Sequence, residues 1–222
     1  MTAVLGVVPI SARDQLVLAQ LRGRSLLAYA VKSALEVTDD VVIVSSGAVA
    51  GLDNALASDG LTRISVRRLD TATGTELLAA DCARASHVVV HDPKCPLLPA
   101  TEIARVLIAA ATAAVGVRPV TDTVKTLAAR PSGPRVSATL DRNDYRAVCS
   151  PLALSAGSIA ILAAEVGAQW WTTPLWRLVE TLRHHVGVEL VGVSSLARRV
   201  EDEDAIWLLE CFDDVRRMVR ET

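Results

Sequence analysis

The chain has 222 residues, 51% of them hydrophobic, with 23 basic and 25 acidic residues and a formal net charge of −2. This length suits one domain, or one domain with an appendage, and the apolar fraction can bury a sizeable core. The near balance of charge, with no basic stretch interleaved with aromatics, argues against nucleic-acid binding. No apolar run reaches membrane-spanning length, and no basic segment of a secretory signal follows Met1, so no membrane association is expected. Cys82, Cys95, Cys149 and Cys211 are scattered without a C-x-x-C pair, which disfavours zinc and a disulfide framework. The expected location is the cytoplasm, with reduced thiols.

Short β-branched runs alternate with helical spacing. Strands are expected at Val4–Val8, Val41–Ser45, Arg63–Arg67, His87–His91 and Gly116–Val120. Between them fall helices at Ser25–Val37, Ala48–Ala57, Thr75–Ala85 and Thr101–Ala114. Strict β-α alternation with continuous apolar strands predicts a Rossmann-like α/β fold. Its sheet is mostly parallel, with helices on both faces. From Thr121 to Cys149 the rhythm breaks. Pro131, Gly133 and Pro134 separate β-like runs at Thr123–Ala128 and Arg135–Leu140, the pattern of a projecting hairpin arm (121–149) within a single 1–222 domain. After Ser150-Pro151 helices are expected at Ser155–Val166 and Thr173–His185, a strand at Glu189–Val193 and a helix at Glu203–Val219.

In such sheets ligands bind beyond the carboxyl ends of the strands. Three of those ends carry chemistry. The first is Val8-Pro9-Ile10-Ser11, where a nucleotide-binding chain would turn through glycines; none occurs between Gly6 and Gly23. The second is His91-Asp92-Pro93-Lys94, where Asp92 can hold magnesium against phosphates or simply cap a turn. The third gathers Asp122, Thr123, Lys125, Asp141, Arg142 and Arg146; Arg142 can bind phosphate bidentately or join a solvated salt-bridged hairpin. Lys32, Lys94 and Lys125 are the only lysines, which limits where a catalytic lysine could come from.

Taken in order, Val7-Val8-Pro9, "VVVHDPKCP", "PVTDTVK", "TLDRNDYRAVCSP" and the segment from Arg198 to Ala205 resemble the 2-C-methyl-D-erythritol 4-phosphate cytidylyltransferase family. The resemblance implies a nucleotidyltransferase of isoprenoid precursor synthesis. In that reaction a sugar-alcohol phosphate attacks the α-phosphorus of CTP, pyrophosphate leaves, and lysine, arginine and magnesium stabilise the charge. It implies a homodimer built by the arm. It also places Pro9, Thr75 and Asp92 at the nucleotide, with Asp92 as the magnesium ligand. Asp122, Thr123, Arg142, Ser150 and Arg198 fall at the substrate phosphate, Arg142 from the partner subunit. The departures from the family lie at the nucleotide. The family's Ala-Ala-Gly-x-Gly-x-Arg and Pro-Lys-Gln after the first strand are missing here, Cys95 replaces an arginine, and a Gly-Gly-Asp before the third helix is gone. Arg13 and Arg22 are the nearest cations left to reach phosphates. The expectation is little or no catalysis and a dimeric module for a phosphorylated ligand or nucleotide. The alternative is an active nucleotidyltransferase with a rearranged loop and a different nucleotide or acceptor, using magnesium.

Overall fold

A computed structural model describes residues 3–130 and 133–220, with side chains as far as Cys211. Pro131, expected at the tip of the arm, lies outside the described residues. Strand β1 (Ala3–Ile10) is followed by a 3-10 turn at Gln15–Leu18, then by the small hairpin β2 (Gln20–Leu21) and β3 (Arg24–Ser25), and by helix α1 (Leu26–Leu35). Next come β4 (Asp40–Ser45), α2 (Leu52–Ser58), β5 (Ser65–Arg68), α3 (Ala72–Arg84), β6 (Ala85–Val90), α4 (Ala100–Ala109) and β7 (Ala113–Pro119). The arm is β8 (Val124–Ala128) with β9 (Arg135–Leu140). The chain ends with β10 (Arg146–Ser155), α5 (Ala156–Glu165), α6 (Leu175–Leu182), β11 (Val188–Gly192) and α7 (Glu203–Arg220).

Seven strands form one sheet in the order β11-β7-β10-β6-β1-β4-β5. Only β10 runs antiparallel to its neighbours in it. Side-chain alternation along each strand sorts the apolar residues to two faces. Leu5, Val7, Val42, Val44, Val88 and Val90 pack with Leu78, Leu162 and Leu178 of α3, α5 and α6. On the other face, Val8, Ile10, Val41 and Ile43 pack against α1 and α2, and Val89, Ala114 and Ala153 meet Ile103 and Val106 of α4. Burial on both sides is why these strands read as continuous apolar runs. α1 starts at Ser25, whose Oγ accepts the Ala28 N–H at 3.1 Å and donates to Asp59 Oδ2 at 2.5 Å.

Two expectations change. The helix read over Thr101–Ala114 ends at Ala109, and Ala113–Val117 is buried strand. An alanine-rich run cannot distinguish the two by period, and burial between β10 and β11 decides. Strand β10 was not foreseen, because Ser150-Pro151 interrupts it. The pairing jumps there from Cys149↔Gly116 to Leu152↔Val115. An irregularity in the ladder is where a strand tolerates a residue without an N–H. Among the described residues β8 and β9 pair with each other in a separate two-stranded sheet.

Candidate functional site

The carboxyl ends of β1 and β6 open onto a cleft of about 620 Å³. Pro9, Ser11 and Asp14 form one wall, Asp92 and Lys94 the next, and Arg199 and Glu201 a third. Trp171 closes the apolar end, buried and stacked on Trp170 with ring centroids 3.6 Å apart.

The floor is built on His91 and Ser150. His91 continues β6 and is fully buried. Its Nδ1 lies 2.7 Å from Ser150 Oγ, which also accepts the Asp92 N–H at 3.0 Å. Its Nε2 is buried without a partner. Burial lowers the imidazole pKa to about 4, the nearby Asp92 opposing only weakly, so the ring is neutral at pH 7. Ser150 is 2% exposed and its hydroxyl is occupied in this link.

Every carboxylate of the cleft is paired. Asp92 Oδ1 accepts the Lys94 N–H at 2.9 Å and Asp92 Oδ2 accepts Arg199 Nε at 2.6 Å. Arg199 Nη1 donates to both oxygens of Glu201 at 2.5 Å. These two carboxylates hold the guanidinium firmly protonated against its partial burial. Lys94 Nζ reaches across the mouth to Asp14 Oδ2 at 2.5 Å. The loop after β1 is thereby tied to the loop after β6. Its amides are also engaged: Ala12 N–H donates to Ser46 Oγ at 3.0 Å, and Asp14 N–H to the Ser11 carbonyl at 3.0 Å. Arg13 N–H leans on Ser11 Oγ at 3.4 Å. A phosphate cradle needs such N–H groups free and convergent.

Of the residues singled out in the sequence, Pro9, Asp92 and Ser150 meet in this cleft. Arg13 is exposed on the loop beside it. Arg22 does not line it. It forms the Arg22-Gly23 turn of β2–β3 with φ 51° and 78°, and its N–H donates to Glu210 Oε1 of α7 at 3.0 Å. Thr75 sits in the first turns of α3, its hydroxyl donating to the Thr71 carbonyl at 3.2 Å. Asp122 and Thr123 are exposed where the arm begins. Arg142 Nη1 donates to the Thr121 carbonyl at 2.6 Å, at the base of its own arm. Arg198 lines a second, larger cavity and not the cleft. Asp14, Lys94, Arg118 and Arg199 were missed as members of one site. The only signal for Lys94 was its place directly after His91-Asp92-Pro93, and Arg199 gave none apart from its neighbour Arg198. No helix among the described residues is long and apolar enough to cross a membrane.

The sequence model of the family described as 2-C-methyl-D-erythritol 4-phosphate cytidylyltransferase matches residues 11–173. That span takes in Asp92, Asp122, Thr123, Arg142 and Ser150 and leaves out Pro9 and Arg198. Among solved structures, a 4-diphosphocytidyl-2C-methyl-D-erythritol synthase of Anaerococcus prevotii is similar with a TM-score of 0.73 at 17% identity, over 96% of each chain. The 2-C-methyl-D-erythritol 4-phosphate cytidylyltransferase of Thermus thermophilus is similar at 0.68 and 22% identity, over 96% of this chain and 98% of that one. The bifunctional IspDF of Campylobacter jejuni aligns at 0.60 and 13% identity, over 90% of this chain and 52% of its own. Likeness at these identities bears on the fold. No curated protein matches the chain.

Proposed function

Because the chain belongs to the 2-C-methyl-D-erythritol 4-phosphate cytidylyltransferase family, we propose that it keeps that family's fold and cleft while transferring cytidylyl groups weakly or not at all. The observation that carries this reading is the pairing of the cleft's own charges. A cytidylyltransferase must place cations and free N–H groups where charge develops at the α-phosphorus and on departing pyrophosphate. Here Lys94 is held by Asp14, Arg199 by Asp92 and Glu201, and the loop amides by Ser11 and Ser46. Losing one such group costs about 3 kcal/mol of barrier, and losing the glycine loop and its lysine together leaves a trace of activity.

The residues present do not fit a resident magnesium ion. Both Asp92 oxygens already accept hydrogen bonds, one from a guanidinium. No group of three or more His, Cys, Asp or Glu among the described residues is placed to hold a metal. No step is therefore assigned to a metal.

The arm supports a homodimer as the working unit. Leu127 of β8 and Val136 of β9 are each 62% exposed, an apolar surface left uncovered among the described residues. Sedimentation at micromolar concentration should give a dimer, and Leu127→Glu with Val136→Glu should give a monomer. A monomeric parent chain would remove this part of the reading.

The deciding experiment is turnover of CTP and 2-C-methyl-D-erythritol 4-phosphate with magnesium, beside calorimetric titration with CTP. The expected result is no turnover above trace and CTP affinity no tighter than roughly millimolar. Tight magnesium-dependent CTP binding with steady turnover would overturn the reading in favour of an active enzyme with a rearranged loop. In that case Lys94, released from Asp14, is the cation that would serve the phosphates.

A further inference from the structure

A second cavity, larger than the cleft, plays no part in that reading. It is an open groove of about 1470 Å³ walled by the β2–β3 turn and α1, by the segment leading into α4, and by the loop after β11. Five cations line it, Arg22, Arg24, Lys32, Arg118 and Arg198, against two carboxylates, Glu36 and Glu102. Arg22 is engaged at α7, its Nη2 donating to the Glu210 carbonyl at 3.2 Å, and the other four cations exceed the two carboxylates by two. Glu102 is already engaged, its Oε2 accepting the Ser194 N–H at 2.8 Å. The side chains of Arg24, Lys32 and Arg198 have no hydrogen-bond or ion-pair partner among the described residues. Arg118 Nε is buried without an acceptor. Like charges gathered at a concave surface repel one another and raise the local concentration of anions.

We propose that this groove binds a small molecule carrying two or more phosphate groups. Three features select that class. The cations stand on separate walls, so one monovalent anion cannot engage them all. Apart from Arg22, three of the four lining cations, Arg24, Arg118 and Arg198, are guanidiniums, whose planar forks match phosphate oxygens, and the hydroxyls of Ser33, Thr101 and Ser195 beside them can donate to a third oxygen. The volume exceeds the roughly 300–1,000 Å³ of a pocket for one drug-sized ligand, leaving room for several anionic groups with their water. An acidic peptide is the less suited occupant: the groove runs over helices and loops and offers no free strand edge for main-chain pairing. The site is independent of the cleft, which is lined by Asp92, Lys94 and Arg199; of the groove's cations, only Arg118 lines both.

The test is calorimetric titration of the full chain with inorganic tripolyphosphate, without divalent metal, at 50 and 200 mM salt. Binding in the micromolar range is expected at the lower salt, weakening at the higher. Arg24→Ala with Lys32→Ala, both exposed and so harmless to folding, should weaken it tenfold or more. Arg199→Ala, in the cleft, should leave it within twofold. Three results overturn the proposal: no binding at 50 mM salt, binding unchanged in the Arg24/Lys32 variant, or binding lost in Arg199→Ala, which would place the anion in the cleft. A deca-glutamate peptide that binds as tightly as tripolyphosphate would overturn the ligand class.

Discussion

The cleft and the groove have similar ingredients and opposite charge states. In the cleft three cations, Lys94, Arg118 and Arg199, face three carboxylates, Asp14, Asp92 and Glu201. Two of the cations are bound to those carboxylates at 2.5–2.6 Å. In the groove five cations face two carboxylates. What recommends a cavity to an anionic ligand is thus the number of donors left over once the protein has satisfied itself. By that count the groove keeps more donors in hand than the cleft. By the same arithmetic Asp92, the residue most suggestive of metal chemistry in the sequence, has both of its oxygens engaged in the structure.

The largest effect expected on this contrast comes from pH. His91 lies buried under the cleft. It takes up a proton near 6.5 when unfolded and near 4 when folded. Its contribution to stability is complete above pH 6.5 and falls as pH drops towards 4, by about 3 kcal/mol. Urea unfolding of the parent chain and of His91→Gln at pH 7 and pH 4 measures it; the variant should lose less than the parent. If the two lose the same amount, the neutral histidine is not what holds the cleft floor.

Gly116→Ala should come next. A Cβ there would stand 2.8 Å from the Ser150 carbonyl oxygen, a backbone atom that cannot swing away. Overpacking of this kind costs about 1–3 kcal/mol. The displacement falls on the Ser150 link to His91 and Asp92, so the groove's tripolyphosphate affinity should stay within twofold while thermal unfolding shifts down. Equal damage to both cavities would show that they are coupled through β7.

Asp14→Ala should have the smallest effect on stability, under about 1 kcal/mol, since the ion pair lies at the cleft mouth and is partly solvated. It should nevertheless free Lys94. Pyrophosphate affinity measured without metal should rise for the variant, towards the behaviour of the groove. An affinity that does not change would mean that Asp14 is not what closes the cleft to anions.

By itself the sequence determined the alternation of buried strands and helices, the break of rhythm at the arm, and the family to which those stretches belong. These follow from local period and from ordered short motifs, and β1, β4, β6 and the β8–β9 hairpin fall close to where they were read. It also showed that the glycine loop and its lysine are missing. The tertiary structure alone decided what fills their place. Asp92 and Arg199 are 107 positions apart, and Asp14 meets Lys94 from a loop on a different strand. Such pairs have no period and no spacing to betray them. The same limit hid β10, whose apolar run is divided by Ser150-Pro151 and becomes a strand only between β6 and β7. It also hid the groove, because five cations scattered from Arg22 to Arg198 become one charged surface only when the sheet brings their elements together.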